Sequence, residues 1–414
     1  MKIGVAGLGK VGLPVALTLA VRGGHEVTGY DPSPDPAKIL AGSKDPPREQ
    51  GIEELLAADH GIRLAKDPDE LVKLSDLVII AVPTPHPPGY GGEVPVMTTA
   101  ANFDYRYLRK AVGNIGKAAD RQEKYITVSV LSTVLPGTMV KLCDRAGKHI
   151  NLVYSPVFIS LGTTISEFCY PPFILCGTAA AGTDWDPGDF GLGQEDPVRE
   201  MYATLPAASG SFFVVTGYET AEIAKMAYNT WGSLRITFAN QVAELCHKAG
   251  GNCDEVTRLM HFAPVSVRSG MPDGGPCRPR DLIAMSWLAQ EHDLSHDLFR
   301  DITRTRERHA RWIAQEVQWQ AVSTGLPPVI LGTAYKPGTD LEAGSPSLLV
   351  RYYLRDSETW NPGMPVPEGP RVYLAAVDCR EVREFPFAPG SVVVDPWGTV
   401  PEQEGVRVIR LGRN

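Results

Sequence analysis

The sequence predicts an α/β protein of two doubly wound, parallel-sheet domains joined by a long central helix and a helical region. Three observations carry that expectation. Residues 2–31 run strand, glycine turn, helix, strand, a βαβ unit whose strands must be parallel and whose crossover must be right-handed. Thr220–Ala249 then keeps helical apolar spacing for 30 residues before Gly250-Gly251 ends it, a length of about 45 Å. Short apolar runs of the buried-strand type resume at Pro328 and recur to the end of the chain.

Taken in order, Lys2–Gly7 is a strand entering a glycine turn, Val11–Arg22 a helix stopped by Gly23-Gly24, and His25–Asp31 a second strand. Leu77–Val82 and Tyr125–Leu131 are uninterrupted apolar runs of the kind buried on both faces of a parallel sheet, each followed by a loop with Thr and Pro. Residues 1–205 therefore read as one doubly wound domain. Residues 206–320 read as a helical region, with the long helix followed by helices at Asp254–Met260, Leu282–Glu291 and Asp301–Trp319. Residues 321–414 form a second α/β domain, opening with PVILGTAYKP at Pro328, continuing through Ser347–Leu354, and returning in strands near Val372–Ala376, Ser391–Asp395 and Val406–Leu411. Asp184–Pro197 and Ser357–Pro370, rich in Gly, Pro and Asp, are expected to be surface loops or insertions.

Composition narrows the function. The chain has 414 residues, 43% hydrophobic and 21% charged, which excludes a disordered or fibrous protein and leaves room for two or three cores. A net charge of −8 argues against a nucleic-acid partner while allowing a local pocket for a phosphorylated small molecule. The seven cysteines, at 143, 169, 176, 246, 253, 277 and 379, are odd in number and show neither CxxC nor zinc spacing. Reduced thiols in a cytoplasm, without a metal centre, are the expectation. Gly4, Gly7, Gly9, Gly12 and Pro14 interrupt the apolar opening, so it is not expected to be a secretory signal. No stretch reaches the ~18 apolar residues of a membrane span.

Gly7-Leu8-Gly9-Lys10-Val11-Gly12 is GxGxxG between a strand and a helix, and Asp31 closes the next strand. The first glycine permits the tight turn, the second admits a pyrophosphate to the helix N-terminus, and the third lets helix and strand pack. A carboxylate at 31 suits the ribose hydroxyls of NAD and repels the 2′-phosphate of NADP. This is the pattern of a Rossmann-like dinucleotide site; glycines serving packing alone would not explain Asp31. Val82–Pro85, with Thr84, and Ser132–Gly137, with Thr133, fall at the carboxyl-end crevice where open sheets bind ligands, although Thr and Pro are also ordinary loop residues.

Gly270–Asp281 is a glycine-rich loop that delivers Cys277 just ahead of a helix. Helix-start amides and nearby arginines favour a thiolate; from its surroundings alone Cys277 reads equally as nucleophile or packing thiol. Lys225 and Asn229 are four apart on the long helix and share one face. They suit protonation or hydrogen bonding of an oxyanion, although by themselves they fit a solvated polar pair slightly better.

In this order the motifs resemble the nucleotide-sugar 6-dehydrogenases, the UDP-glucose/GDP-mannose dehydrogenase family: GLGKVGLP at 7, Asp31, GIEELL at 51, VPTP at 82, STVLPGT at 132, SPVF at 155, AEIAKMAYNTW at 221, FANQ at 238, GGPCRPRD at 274, LGTAYKPGTD at 331 and SP at 345. The resemblance implies an N-terminal NAD domain, a central region that forms a homodimer and a shortened C-terminal UDP-binding domain. It implies oxidation of a sugar C6 alcohol to a carboxylate with two NAD, through a thiohemiacetal and a thioester on Cys277. Lys225 is then the acid/base and, with Asn229, stabilises oxyanions, while Asp281 and Thr133 help place the base or the hydrolytic water. Gly7, Gly9, Val11, Gly12, Asp31, Thr84, Thr133 and Arg280 match cofactor positions. Phe158, Lys225, Asn229, Gly270, Gly274, Gly275 and Lys336 match positions for the nucleotide sugar, with a UDP-sugar favoured.

The chain departs from the family at several of these places. Val157 and Leu161 stand where the family carries glutamates that hold the hydrolytic water and touch cofactor and substrate. Arg280 replaces a lysine, keeping the charge but not the geometry, and Ala343 replaces an arginine. Three readings follow: an active four-electron dehydrogenase, an altered oxidoreductase stalled at an early step by slow thioester hydrolysis, or a nucleotide-sugar-binding pseudoenzyme.

Overall fold

The computed structural model describes residues 1–95, 101–179, 196–206, 212–261, 269–294 and 296–413. The loop expected at Asp184–Pro197 lies outside them as far as residue 195. The opening unit forms as its spacing predicts: β1 (Lys2–Ala6), α1 (Gly12–Val21) and β2 (Glu26–Tyr30), with β1 parallel to β2 from Lys2 opposite Glu26 to Ala6 opposite Tyr30. Gly12 through Leu19 are all buried, so α1 is apolar all round, as a core helix is.

After α2 (Asp35–Leu40), α3 (Ile52–Ala57), β3 (Arg63–Leu64) and α4 (Pro68–Lys73), the chain returns to β1 on its other side as β4 (Leu77–Ile80). It continues through α5 (Arg106–Arg121), β5 (Ile126–Val130), α6 (Thr138–Ala146), β6 (Ile150–Tyr154), α7 (Thr164–Cys169), β7 (Phe173–Thr178), α8 (Pro197–Ala203) and β8 (Phe212–Gly217). The sheet order is β3-β2-β1-β4-β5-β6-β7-β8, whose first six strands have the order of a dinucleotide-binding fold, with the switch point between β1 and β4. Those six are parallel. β7 meets β6 antiparallel at Tyr154 and Gly177, and β8 runs parallel to β7.

The long helix is α9 (Tyr218–Ala249), of 32 residues. α10 (Cys253–His261), α11 (Arg278–Glu291) and α12 (Leu298–Thr324) follow. α11 starts four residues before the expected Leu282, because Pro279 sits in its first turn, where the missing N–H costs nothing. α12 outruns the expected Asp301–Trp319: the Asp297 carboxylate caps it and Gly325, in a left-handed conformation, ends it.

The second sheet holds β9 (Pro328–Leu331), then, after α13 (Pro346–Tyr353), β10 (Glu358–Trp360), β11 (Val372–Ala375), α14 (Arg380–Arg383), β12 (Val392–Asp395) and β13 (Arg407–Arg410). Its order is β10-β9-β11-β12-β13, all parallel. Alternation sorts its two faces. Ile330, Val372, Leu374, Val392 and Val394 pack with α12 and α13, while Val329, Leu331, Tyr373 and Val393 pack with Phe385, Phe387 and Trp360. β10 corrects the expectation of a loop over Ser357–Pro370. Buried Trp360 packs edge-on against Phe385 at 4.8 Å and draws Glu358–Trp360 into the sheet, leaving only the Gly- and Pro-rich remainder as loop.

Two compact units result, Met1–Pro85 with Phe103–Ala227 and His86–Asn102 with Tyr228–Asn414; α9 begins in the first and continues into the second. Each unit ends its first βαβ crossing in the same way. In the first, Gly7 (φ +93°) donates its N–H to the Tyr30 carbonyl at 2.8 Å and Leu8 N–H donates to the Asp31 carboxylate at 2.8 Å. In the second, Gly332 (φ +89°) donates to the Trp360 carbonyl at 2.8 Å and Thr333 N–H donates to the Asn361 side-chain oxygen at 2.9 Å. Among the described residues no helix is long and apolar enough to cross a membrane, and all seven cysteines are free.

Two glycines of α5 test the packing. A Cβ on Gly116 would lie 1.9 Å from the Ala146 carbonyl oxygen, where α5 crosses the end of α6, whereas a Cβ on Gly113 meets nothing within 4 Å. Gly116→Ala is expected to destabilise by about 1–3 kcal/mol through overpacking, and Gly113→Ala to stabilise by roughly 0.5–1 kcal/mol through helix propensity. Denaturant titration of both variants reads the difference in sign.

Candidate functional site

The cofactor turn is built at the carboxyl end of β1. Gly12 cannot be replaced, since a Cβ there would sit 1.8 Å from the Gly7 carbonyl oxygen; at Gly7 the backbone is left-handed. Gly9 differs: a Cβ there meets no atom within 4 Å. Packing does not require that glycine, so the open space is room for a ligand. Asp31 uses one carboxylate oxygen on Leu8 N–H and the other on Ser33 N–H, both at 2.8 Å, which fixes the carboxyl while each oxygen keeps a lone pair for a ribose hydroxyl. Val11 caps α1 without a side-chain hydrogen bond. These residues fit NAD.

The two crevice loops are tied together. Thr84 Oγ1 donates to the Thr133 carbonyl at 2.9 Å, and Ser132 Oγ donates to the Val82 carbonyl at 2.6 Å. Nearby, Lys225 is buried on α9; its Nζ donates to the Val157 carbonyl at 2.8 Å and lies 4.8 Å from the Phe158 ring centre. Phe158 is itself buried against Phe173, at 4.5 Å between ring centres, so its ring is committed to packing and to the ammonium.

In the second unit, Cys277 caps the start of α11 and is partly exposed. Asp281, one turn on, is fully buried and bridges α9 and α11: Asn229 Nδ2 donates to one of its oxygens at 2.6 Å and Arg280 Nε to the other at 2.9 Å. The carboxylate obliges Asn229 to turn its NH2 toward Asp281, which leaves the second amide hydrogen for another acceptor. Arg280, expected at the cofactor, forms the buried ion pair with Asp281. Lys336 lies over the ring of Tyr335 at 5.6 Å, and Tyr335 in turn covers Gly275.

The glycines of the Cys277 loop have local reasons to be glycines. A Cβ on Gly270 would strike the Trp397 ring at 2.2 Å, one on Gly274 would meet Pro346 at 2.6 Å, and one on Gly275 would meet Tyr335 at 2.8 Å. Residues outside the sequence-derived set hold this loop. Asn240 pairs with Gly270 N–H and the Met271 carbonyl. Ser233 and Arg278 hold the buried Asp273 carboxylate, and Arg306 donates to the carbonyls of Asp273 and Gly92. His309 donates from Nε2 to the Gly270 carbonyl, and burial pushes its pKa down to about 4, so it is neutral at physiological pH. Arg306 and His309 carried no signal, because α12 has several other basic residues that stay at the surface.

The contrast between the glycines is testable. Gly9→Ala is expected to weaken NAD binding roughly tenfold or more, about 1.4 kcal/mol, while leaving the melting temperature within about 2 °C. Gly12→Ala is expected to lower both. Calorimetric NAD titration paired with thermal melts separates the two; equal loss of stability in Gly9→Ala would remove the ligand-space assignment.

Residues 1–189 match the UDP-glucose/GDP-mannose dehydrogenase family, NAD binding domain, and residues 219–308 match the central domain of the same family. The UDP-glucose 6-dehydrogenase of Rhizobium meliloti (strain 1021) is 28% identical over 417 residues, covering 96% of this chain and 90% of the relative. The GDP-mannose 6-dehydrogenase of Pseudomonas aeruginosa is 28% identical over 359 residues, covering 82% of this chain and 75% of the relative. A solved UDP-glucose dehydrogenase from Pyrobaculum islandicum, 23% identical, shares the fold with a TM-score of 0.80, covering 100% of this chain and 97% of that one. The NAD-type turn, the helical segment bearing Lys225 and Asn229, and these matches agree: the chain belongs to the UDP-glucose/GDP-mannose dehydrogenase family.

Proposed function

We propose that the chain oxidises the C6 alcohol of a nucleotide sugar, a UDP-sugar such as UDP-glucose, to the carboxylate. The observation that carries this reading is the chain of hydrogen bonds Asn229–Asp281–Arg280, centred on buried Asp281 at the first turn of α11, next in sequence to Cys277. A fully buried carboxylate that orients an amide beside an accessible thiol serves acyl chemistry better than stability, for which apolar packing is the cheaper solution.

NAD, when bound, takes up the hydride of each oxidation step. Asp31 and the open space at Gly9 hold its ribose and pyrophosphate, with Thr84 and Thr133 on the crevice loops beside them. Lys225, as the neutral amine, takes the proton of the C6 hydroxyl as the alcohol becomes an aldehyde and is then an ammonium. The Cys277 thiolate adds to that aldehyde carbon, closing a C–S bond and leaving an oxyanion for Asn229 and Lys225 to hold. Loss of the remaining C6 hydrogen as hydride gives a thioester. Water adds to its carbonyl, the C–S bond breaks, and the acid leaves with Cys277 again a thiolate. Gly270, Gly274, Gly275, Phe158 and Lys336 frame the nucleotide sugar.

A second reading rests on Val157 and Leu161, which cannot hold or deprotonate a water. The carboxylates near that loop are engaged elsewhere: Glu49 accepts from the backbone N–H of Gly162 and Ile165, and Glu167 from Ser160 N–H. Hydrolysis is then slow and the oxidation stalls on Cys277.

Counting NADH per sugar, with UDP-glucose and GDP-mannose as probes, decides between them. About two per sugar is expected for the full reaction. A burst of about two NADH per active site without turnover, with an acyl adduct on Cys277 seen by intact-mass spectrometry, identifies the stalled enzyme, and binding without NADH a pseudoenzyme. Cys277→Ala is expected to abolish four-electron turnover, and Val157→Glu to speed release of the acid; an unchanged single-turnover hydrolysis rate in Val157→Glu would overturn the role given to that position.

We also propose that a second copy of the chain covers α9. Tyr228, Trp231 and Phe238 stand exposed on one side of that helix, Trp231 and Phe238 each at 54%, with Ile223 exposed one turn earlier, the kind of apolar surface that isologous dimers bury. Light scattering at micromolar concentration is expected to report a dimer, and Trp231→Arg to shift it toward monomer. A monomeric parent chain would refute the assignment.

A further inference from the structure

Glu222 is a charged residue in an apolar stretch of α9, and it is fully buried. Its two carboxylate oxygens accept the N–H groups of Gly137 and Met139, each at 2.7 Å. Those amides open α6, directly behind the crevice loop that carries Thr133. Helix-start amides have no partner within their own helix, and α6 has no side-chain cap of its own because glycine occupies its N-cap. The acceptor therefore arrives from α9, 85 residues away in sequence.

Glu222 is not alone on its stripe. Four residues earlier the Tyr218 hydroxyl donates to the Leu152 carbonyl in β6, and three residues later Lys225 donates to the Val157 carbonyl just beyond the end of β6. Spacing of i, i+4 and i+7 puts all three on one helix face. Tyr218 contacts main chain in mid-strand of β6, while Glu222 and Lys225 contact main chain beyond the carboxyl ends of β5 and β6, so the first two turns of α9 are fastened at three points, two of them on the crevice side. Burial, with a smaller push from the Glu219 charge, raises the Glu222 carboxyl to about 7 against the pull of the backbone amides; the Tyr218 hydroxyl and the Cys143 thiol of α6 are its other titratable neighbours. The middle fastening is thus the one most costly to keep, and a surface cap on α6 would have served a stability role alone.

We propose that Glu222 is a positioning residue: by tying the loop behind Thr133 to the helix that carries Lys225, it holds the Lys225 side-chain nitrogen in place for proton transfer. This rests on the reading of Lys225 as the acid/base group. Glutamine at 222 keeps the volume but turns an NH2 toward one of the two backbone N–H groups, so one fastening bond is replaced by a clash of donors.

The test uses the full chain with NAD. Competitive acetylation with acetic anhydride, read by mass spectrometry, is expected to label Lys225 at least about fivefold faster in Glu222→Gln than in the parent, with exposed Lys44 and Lys66 unchanged; labelling within about twofold of the parent overturns the proposal. In NAD reduction with UDP-glucose or GDP-mannose, Glu222→Gln is expected to lower kcat roughly tenfold or more with the KM for NAD within about twofold. It is expected to add little on a Lys225→Ala background, whereas a full additive loss there would mean general destabilisation and overturn the proposal. Glu222→Asp, which keeps the charge at shorter reach, gives the same labelling comparison if the glutamine variant does not fold. If Lys225→Ala is fully active, or neither sugar is oxidised, the acid/base reading fails on its own, and the labelling result still decides whether Glu222 positions the Lys225 side-chain nitrogen.

Discussion

Parallel strands end in loops whose backbone N–H groups have no ladder partner, and here carboxylates, those of Glu49, Glu222 and Asp395 buried and that of Asp31 partly so, meet that need. Asp31 takes the amides of Leu8 and Ser33 after β1 and β2, and Glu222 takes those of Gly137 and Met139 after β5. Glu49 takes those of Gly162 and Ile165 after β6, and Asp395 takes those of Trp397, Gly398 and Val400 after β12. An unpaired buried amide costs about 1–3 kcal/mol, so each carboxylate stabilises its loop and aims it. Both units use this device at the ends of their parallel strands.

The same device separates the two sheets chemically. Gly7 and Gly332 make the same left-handed turn over the same hydrogen bond to the neighbouring strand, yet the first is closed by a carboxylate at Asp31 and the second by an amide at Asn361. A carboxylate offers only acceptors and a charge, which suits paired ribose hydroxyls and rejects an added phosphate. An amide at the matching position carries no charge, and it is occupied by Thr333 through both its backbone and its hydroxyl.

Asp281 is buried and holds Asn229, while the neighbouring Arg280 closes onto it as an ion pair. Guanidinium is planar and forks toward carboxylates, which suits that pairing. At Val157 the side chain is apolar and the main chain carries the contact: Lys225 bonds the carbonyl of Val157.

Much of the fold was legible in the sequence because buried parallel strands and helices have distinct periods: the βαβ opening, α9, and the strands β9, β11, β12 and β13 all follow from apolar spacing and glycine stops. GxGxxG with Asp31 was legible because the turn constrains both conformation and spacing. β10 was not, since three residues of mixed polarity become a strand only through the burial of Trp360. The start of α11 was hidden by Pro279, whose tolerance in a first turn depends on where the helix begins. Glu222, Asp273, Arg306 and His309 were not read as functional, because nothing local distinguishes a buried polar side chain from one at the surface. The sequence by itself determined the two sheets, the nucleotide turn and the presence of Cys277, Lys225, Asn229 and Asp281. Only the tertiary structure decided which main-chain groups each polar side chain would satisfy, because those partners are brought together by packing across tens to hundreds of residues and have no local pattern.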